Sequence, residues 1–174
     1  MKKTTTFRIT AMILFSLLSV TSSFAQDKPK EKKSPAATAT GIIVGSTITV
    51  NYSQPSVRER KIWGDLVPYN KVWRTGANEA TTFETTKDIK VEGVLLPAGK
   101  YALFTIPGEN EWTIIFNKTA SQWGAFKYKE KDDQLRVKVK AEKAPSFTEQ
   151  LTFFVDKNKV FFRWENLEVG FNVK

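Results

Sequence analysis

Apolar and polar residues alternate two by two along most of this chain. Ile48, Val50 and Tyr52 are interleaved with Thr47, Thr49 and Asn51; Leu135, Val137 and Val139 with Arg136, Lys138 and Lys140; Leu167, Val169 and Phe171 with Glu168, Gly170 and Asn172. Successive side chains of a β-strand point to opposite faces, so this period buries one face and wets the other, whereas a helix needs a repeat of 3.6. Further runs are rich in β-branched and aromatic residues: Thr82 to Thr85, Ile89 to Val91, Lys100 to Ile106, Glu111 to Asn117, Gln150 to Val155 and Val160 to Trp164. Turn formers separate them at Glu92-Gly93, Pro97-Ala98-Gly99, Pro107-Gly108-Glu109-Asn110 and Asp156-Lys157-Asn158-Lys159. The pattern predicts an all-β domain, an antiparallel β-sandwich or jelly roll of about nine strands. At most short helices are expected, at Ala120 to Phe126 as a helical turn or loop, and near Leu66. There Pro68 suits a first turn that would face Tyr69 and Val72 to the core.

The stretch Tyr52 to Thr81 follows neither period. It holds two tryptophans, two tyrosines and two prolines among charged residues. Loops of this length inside a compact domain are uncommon, and they are usually functional or disordered. Its aromatic content argues for an ordered, packed loop.

The first 25 residues have the form of a secretory signal. Lys2, Lys3 and Arg8 are the basic region, Ala11 to Val20 the apolar core, and Ser23-Phe24-Ala25 a small-x-small cleavage site. That apolar run is too short for a bilayer, which needs about 20 residues, so the mature chain is expected not to span a membrane. The expected organisation is a signal peptide over 1–25, a Lys/Pro-rich linker over 26–38 and one β-sandwich domain over 39–174, placed in the periplasm or secreted.

The formal charge of +9 falls to +6 without the leader's three cations, with 24 Lys and Arg facing 18 Asp and Glu. These charges are interleaved and form no basic stripe, so nucleic acid is not expected as a partner. Cysteine is absent, which removes disulfides, thiol catalysis and thiolate metal ligands. Histidine is also absent, which removes imidazole relays and imidazole zinc sites. No metal or cofactor is expected. Glu130, Asp132 and Asp133 offer oxygen ligands for calcium, but they lack the full EF-hand loop and its glycine, and read instead as a solvated charge cluster.

Within the loop, Trp73-Arg74-Thr75-Gly76-Ala77-Asn78-Glu79-Ala80 concentrates polar recognition groups. Arg74 supplies a planar fork of five donors, Asn78 both donor and acceptor, Glu79 an acceptor, and Gly76 access to positive φ that would let them converge. The same residue types serve a ligand clamp or a staple in which Arg74 pairs with Glu79 or Asp65. Trp63, Tyr69 and Trp73 could offer a flat platform to a sugar, with core packing the commoner role for such tryptophans. Trp112, Trp123 and Trp164 lie in or near strand patterns and read as core, while Arg58 and Arg60 read as exposed cations. Asp65, Glu79 and Glu59 are the carboxylates available for hydrolytic chemistry.

At these residues the chain resembles the secreted bacterial family catalogued as domain of unknown function 2911. The resemblance covers roughly Ser34 to Val155. It rests on Tyr52-Ser53-x-Pro55-Ser56, Gly64-x-Leu66-Val67-Pro68-Tyr69, Val72 through Thr81, Leu96-Pro97-Ala98-Gly99-x-Tyr101, Leu103-Phe104-Thr105-Ile106-Pro107, and Trp112-x-Ile114-Ile115-Phe116-Asn117-Lys118 with Gln122-Trp123-Gly124. Gln54 stands where that pattern carries Arg, and Arg58-Glu59 where it carries Lys-Gly, so these positions are poor candidates for an invariant role. The resemblance implies an exported bacterial β-domain and brings no activity with it.

The expectation is therefore a non-enzymatic binding domain for a polar small molecule or glycan, with Arg74, Asn78, Glu79, Trp73, Tyr69 and Asp65 as the binding residues. The alternatives are a carboxylate-dependent hydrolase of glycans or esters, and an envelope scaffold that docks another protein.

Overall fold

The computed structural model describes residues 33–174. The expected signal peptide and the 26–32 part of the expected linker lie outside the described residues. Nine strands follow: β1 (Ala36–Ile43), β2 (Ser46–Ser53), β3 (Thr82–Thr85), β4 (Ile89–Val91), β5 (Val94–Leu96), β6 (Gly99–Ile106), β7 (Glu111–Asn117), β8 (Asp133–Asp156) and β9 (Lys159–Asn172). Seven form one antiparallel sheet in the order β1-β2-β3-β6-β7-β8-β9, and β4-β5 form a separate hairpin. The sheet curls so that the segment leaving β2 meets β8: Val57 N–H donates to Glu149 O (2.8 Å) and Leu151 N–H to Pro55 O (3.0 Å). The result is the expected all-β, sandwich-like architecture. β1 begins at Ala36, inside the stretch expected as linker. Among the described residues no helix is long and apolar enough to cross a membrane.

Alternation determines which faces are buried. In β2, Ile48, Val50 and Tyr52 are buried, with Thr47, Thr49 and Asn51 turned away from the core. β6 and β7 are buried on both faces, which is why they read as nearly continuous apolar runs. Their inner residues Leu103, Ile114 and Phe116 enter the main core. Their outer residues Phe104 and Ile115 form a second cluster, covered by Ala125 and Tyr128 from the connection between β7 and β8.

Among the described residues no α-helix forms; the one helical turn is a 3-10 segment over Glu130–Asp132. The short helix expected from Leu66 is a turn instead, with Gly64 at φ 79° and Val67 N–H returning to Ile62 O (2.9 Å). At Ala120 to Phe126 the looser of the two expectations, a loop, is what the chain adopts around Gly124 at φ 64°. Left-handed backbone cannot continue a right-handed helix.

The four strands expected at Leu135, Gln150, Val160 and Leu167 are the halves of two long bent strands. β8 and β9 pair at Ala141 to Lys143 with Leu167 to Val169, and again at Thr152 to Asp156 with Lys159 to Arg163, with register shifts between. Pro145, which has no N–H to donate, sits in the unpaired stretch of β8, and Glu165, paired with Thr148, takes φ 55°. The ribbon therefore folds over on itself. Val173 N–H reaches Asn158 O (2.7 Å), and Gly170 lies directly on Phe161.

Glu168 ties this fold with bonds from Lys159 Nζ (2.8 Å) and Arg163 Nε (2.7 Å), and is 12 % exposed. Burial pushes its carboxyl pKa up, but the two hydrogen-bonded cations outweigh that and hold it below the ordinary value of 4.5. A depressed carboxyl stabilises the fold above its unfolded pKa and loses that contribution as pH falls through the folded value. Glu168→Gln is expected to lower stability by about 1–2 kcal/mol at neutral pH, given partners that are partly solvated. It should also flatten the loss of stability on acidification below about pH 4.5, measured by urea unfolding across pH.

Candidate functional site

The long loop is ordered because its own aromatics nail it to the sheet. Trp63 packs edge-on to Trp112 of β7 (5.1 Å) and Trp164 of β9 (5.6 Å), and Trp73 stacks on Trp164 (5.9 Å, 16°). Trp63 and Trp73 also meet each other at 5.9 Å. All four are buried, so the core role weighed for Trp63 and Trp73 is the one they fill. The backbone of Trp73 exchanges two bonds with Thr105 of β6 (2.7 and 2.9 Å), which registers the turn that follows.

That turn is wound by positive φ at Thr75 (53°) and Asn78 (57°), not at Gly76. Gly76 is needed for closeness instead: a Cβ there would lie 3.1 Å from Ser53 O and from Thr81 Oγ1. Trp73 Nε1 donates to Gly76 O (3.2 Å), and Thr81 Oγ1 to Thr75 O (2.8 Å).

Above the tryptophans lies a cleft of about 330 Å³, at the small end of the range for ligand sites. Trp73 and Trp164 form its floor, and Lys33, Arg58, Arg60 and Arg74 line it with positive charge; among the described residues no carboxylate lines it. Arg58 Nη2 donates to Lys33 O (3.2 Å), and Arg60 donates to Val57 O and Ser56 O (3.0 and 2.6 Å). Backbone carbonyls thus orient both guanidinium groups without neutralising them. Arg58 and Glu59 sit at φ 49° and 58°, consecutive left-handed residues of the kind that cluster at functional sites. Glu149 bonds the Arg58 backbone N–H (3.0 Å), not its side chain.

Arg74 is the distinctive member. It is half-buried, its Nε is buried without a hydrogen-bond partner, and among the described residues no carboxylate pairs with it. Burial alone pulls its pKa below the ordinary value, with no partner to restore it. It keeps its charge all the same, because guanidinium starts so high. The indole N–H of Trp164, on the cleft floor, is likewise buried and unpartnered. Cationic donors that no carboxylate among the described residues neutralises are suited to an oxyanion.

The other expected site residues are dispersed. Asn78 lines the cleft, but its amide donates to Ser34 O (3.1 Å) and Ser53 Oγ (3.2 Å), pinning the chain ahead of β1 to the turn. Glu79 is exposed on the far side of the turn and lines a separate hollow with Trp123. Arg74 and Glu79 therefore do not converge on one site. Tyr69 is half-buried against the core, its ring beneath Gly64. Asp65 is exposed in the turn after Gly64 and does not line the cleft. Among the described residues, the Arg74 cleft is lined by none of Asp65, Glu79 and Glu59, and the hollow beside Glu79 holds neither of the other two, so neither brings two of them together as an acid/base pair would need.

Asp133 is engaged by Tyr128 (2.6 Å), Asn117 (2.8 Å) and Arg136 (3.3 Å), and Glu130 by Arg136 (2.6 Å), so these acids serve protein donors. Trp123 corrects its core assignment: it is 58 % exposed, because it falls at the tight turn before Gly124 and not on a strand.

Lys33, Arg58, Arg60 and Trp164 belong to the cleft and were not expected there. The signal for Arg58 and Arg60 was their place in the aromatic loop; Trp164 carried none, being 91 positions from Trp73.

No curated protein and no solved structure matches the chain. A family model does, over residues 34–173, which reaches past Val155 to take in the folded β8–β9 ribbon and every residue of the cleft except Lys33. The chain belongs to the family described as Protein of unknown function (DUF2911).

Proposed function

We propose that this domain is a binding protein for a small oxyanion, a carboxylate, phosphate or sulfate, held in the Arg74 cleft, and that it works outside the cytoplasm after loss of its leader. The carrying observation is a half-buried arginine that, among the described residues, has no carboxylate partner and lies in a cleft lined by four cations and no acid. A domain that only needed to close its loop would bury an apolar residue there, because an unpaired buried charge costs stability. The export reading is supported by the leader-like pattern over 1–25.

The test is calorimetric titration with inorganic phosphate, sulfate and citrate at low ionic strength. At least one should bind, with affinity falling as salt rises. Arg74→Met is expected to weaken that binding by at least about tenfold while raising stability by about 1 kcal/mol, since it removes a desolvated, unpaired cation. Arg74→Lys keeps the charge, loses the fork and should fall between. Absence of binding by all three anions, or loss of stability in Arg74→Met, would overturn the proposal in favour of a structural role.

A further inference from the structure

The Arg74 cleft is not cationic throughout. Leu66 lines it as well and is 44 % exposed. An exposed leucine by itself needs no explanation, but the turn that carries this one has its packing residues elsewhere. Ile62 and Val67 are buried on either side of it, Gly64 N–H donates to Val67 O (3.0 Å), and Val67 N–H donates to Ile62 O (2.9 Å). Leu66 is thereby held outward on a hydrogen-bonded turn. It adds apolar surface to a cleft whose charged groups, among the described residues, are all cations.

Size and charge narrow what such a cleft can hold. At about 30 Å³ per water in the liquid, about 330 Å³ is room for about eleven waters, and inorganic phosphate or sulfate would take roughly half of it. The remainder would stay wet, and so would Leu66. Four cations attract a dianion more strongly than a monoanion. A phosphate monoester carries about −1.5 to −2 at neutral pH and offers three acceptor oxygens, which guanidinium forks bind through paired, parallel bonds. Arg58 and Arg60 are held by the carbonyls of Lys33, Ser56 and Val57, and each fork keeps further donors for a ligand.

We infer that the ligand of this cleft is a phosphate monoester whose organic group is a compact apolar ring. The inference rests on the oxyanion reading of the same cleft and narrows it. The phosphate dianion meets Arg74, Arg58 and Arg60, and the ring covers Leu66 and Trp73. Inorganic phosphate would leave Leu66 in water, and a neutral ring compound would leave the guanidinium groups without an acceptor.

The experiment is calorimetric titration at low ionic strength with inorganic phosphate, phenyl phosphate and phenyl sulfate. It is run near pH 8, about two units above the second phosphate pKa of about 6. Phenyl phosphate should bind at least about tenfold more tightly than inorganic phosphate. Tenfold is about 1.4 kcal/mol, which about 55 Å² of apolar surface withdrawn from water provides at about 25 cal/mol per Å². An aromatic group can bury about 150 Å² or more, so partial coverage of the ring suffices. Phenyl sulfate, with one charge fewer, should bind at least about fivefold more weakly than phenyl phosphate. In Leu66→Ser the ratio of phenyl phosphate to inorganic phosphate affinity should fall at least about threefold. Its thermal midpoint should not change, because Leu66 stands outside the buried core. Inorganic phosphate binding as tightly as phenyl phosphate, or a ratio unmoved in Leu66→Ser, overturns the inference and leaves the oxyanion reading standing. Phenyl sulfate binding as tightly as phenyl phosphate overturns the phosphate head group. No binding by any of the three, nor by citrate, overturns both readings.

Discussion

Trp63→Ala lowers the unfolding free energy by about 3–5 kcal/mol, the expected cost of truncating a buried tryptophan. Against the 5–15 kcal/mol that holds a typical domain together, this is a large share of the whole. Trp63 touches Trp73, Trp112 and Trp164 at once, so its removal opens a cavity where loop, β7 and β9 meet. Its indole N–H bonds nothing, so the loss is one of packing alone. Trp63→Phe should therefore recover most of the stability. Urea unfolding followed by circular dichroism gives both values. Oxyanion binding should fall with Trp63→Ala although Trp63 does not line the cleft, because the two indoles that form the floor lean on it.

Gly170→Ala is expected to cost about 3 kcal/mol or more. A Cβ at this position would sit 2.4 Å from Phe161 Cβ, 2.7 Å from Val160 O and 2.9 Å from Phe161 Cα, atoms with no flexible end to move aside. Overpacking of this kind usually costs 1–3 kcal/mol, and here the backbone itself must give way. The ribbon can relieve the clash only by unfolding its corner, which strains the ties from Glu168 to Lys159 and Arg163. Gly93→Asn is the comparison: it lies in an open hairpin turn at φ 84° with nothing within 4 Å. Asparagine tolerates that backbone, so the thermal midpoint should barely move. Thermal unfolding of both variants tests the contrast.

What could be read from residues alone follows from how local each feature is. Strand alternation is a property of adjacent positions, so Ile48, Val50 and Tyr52 declared the buried face of β2 without reference to any partner. The corner in β8 and β9 was misread as strand ends because Pro145 and Glu165-Asn166 look the same in a turn and in a bulge. What distinguishes the two is pairing across the ribbon, as in Thr148 with Glu165. For the site, Arg74 and Trp73 stood out by composition and do line the cleft. Glu79 stood out equally and faces the other way, since Thr75 and Asn78 wind the turn between them through left-handed backbone that no residue type there advertised. Trp123 looked like core because large aromatics usually are; the outer face of β6 and β7 is instead covered by Tyr128 and Ala125.

The stacking of Trp73 on Trp164 has a consequence for how the protein is made. The two rings that floor the cleft are 91 positions apart, and the strand bearing Trp164 is held by contacts among the final residues, where Lys90 and Lys174 exchange backbone bonds (2.6 and 2.9 Å). Closing so long a loop is slow and comes late in folding. The cleft is therefore assembled only when β9 has paired with β8 and the ribbon has doubled over. Fragments ending short of Trp164 would lack the floor of the cleft, so the proposed oxyanion binding is expected to be lost from them.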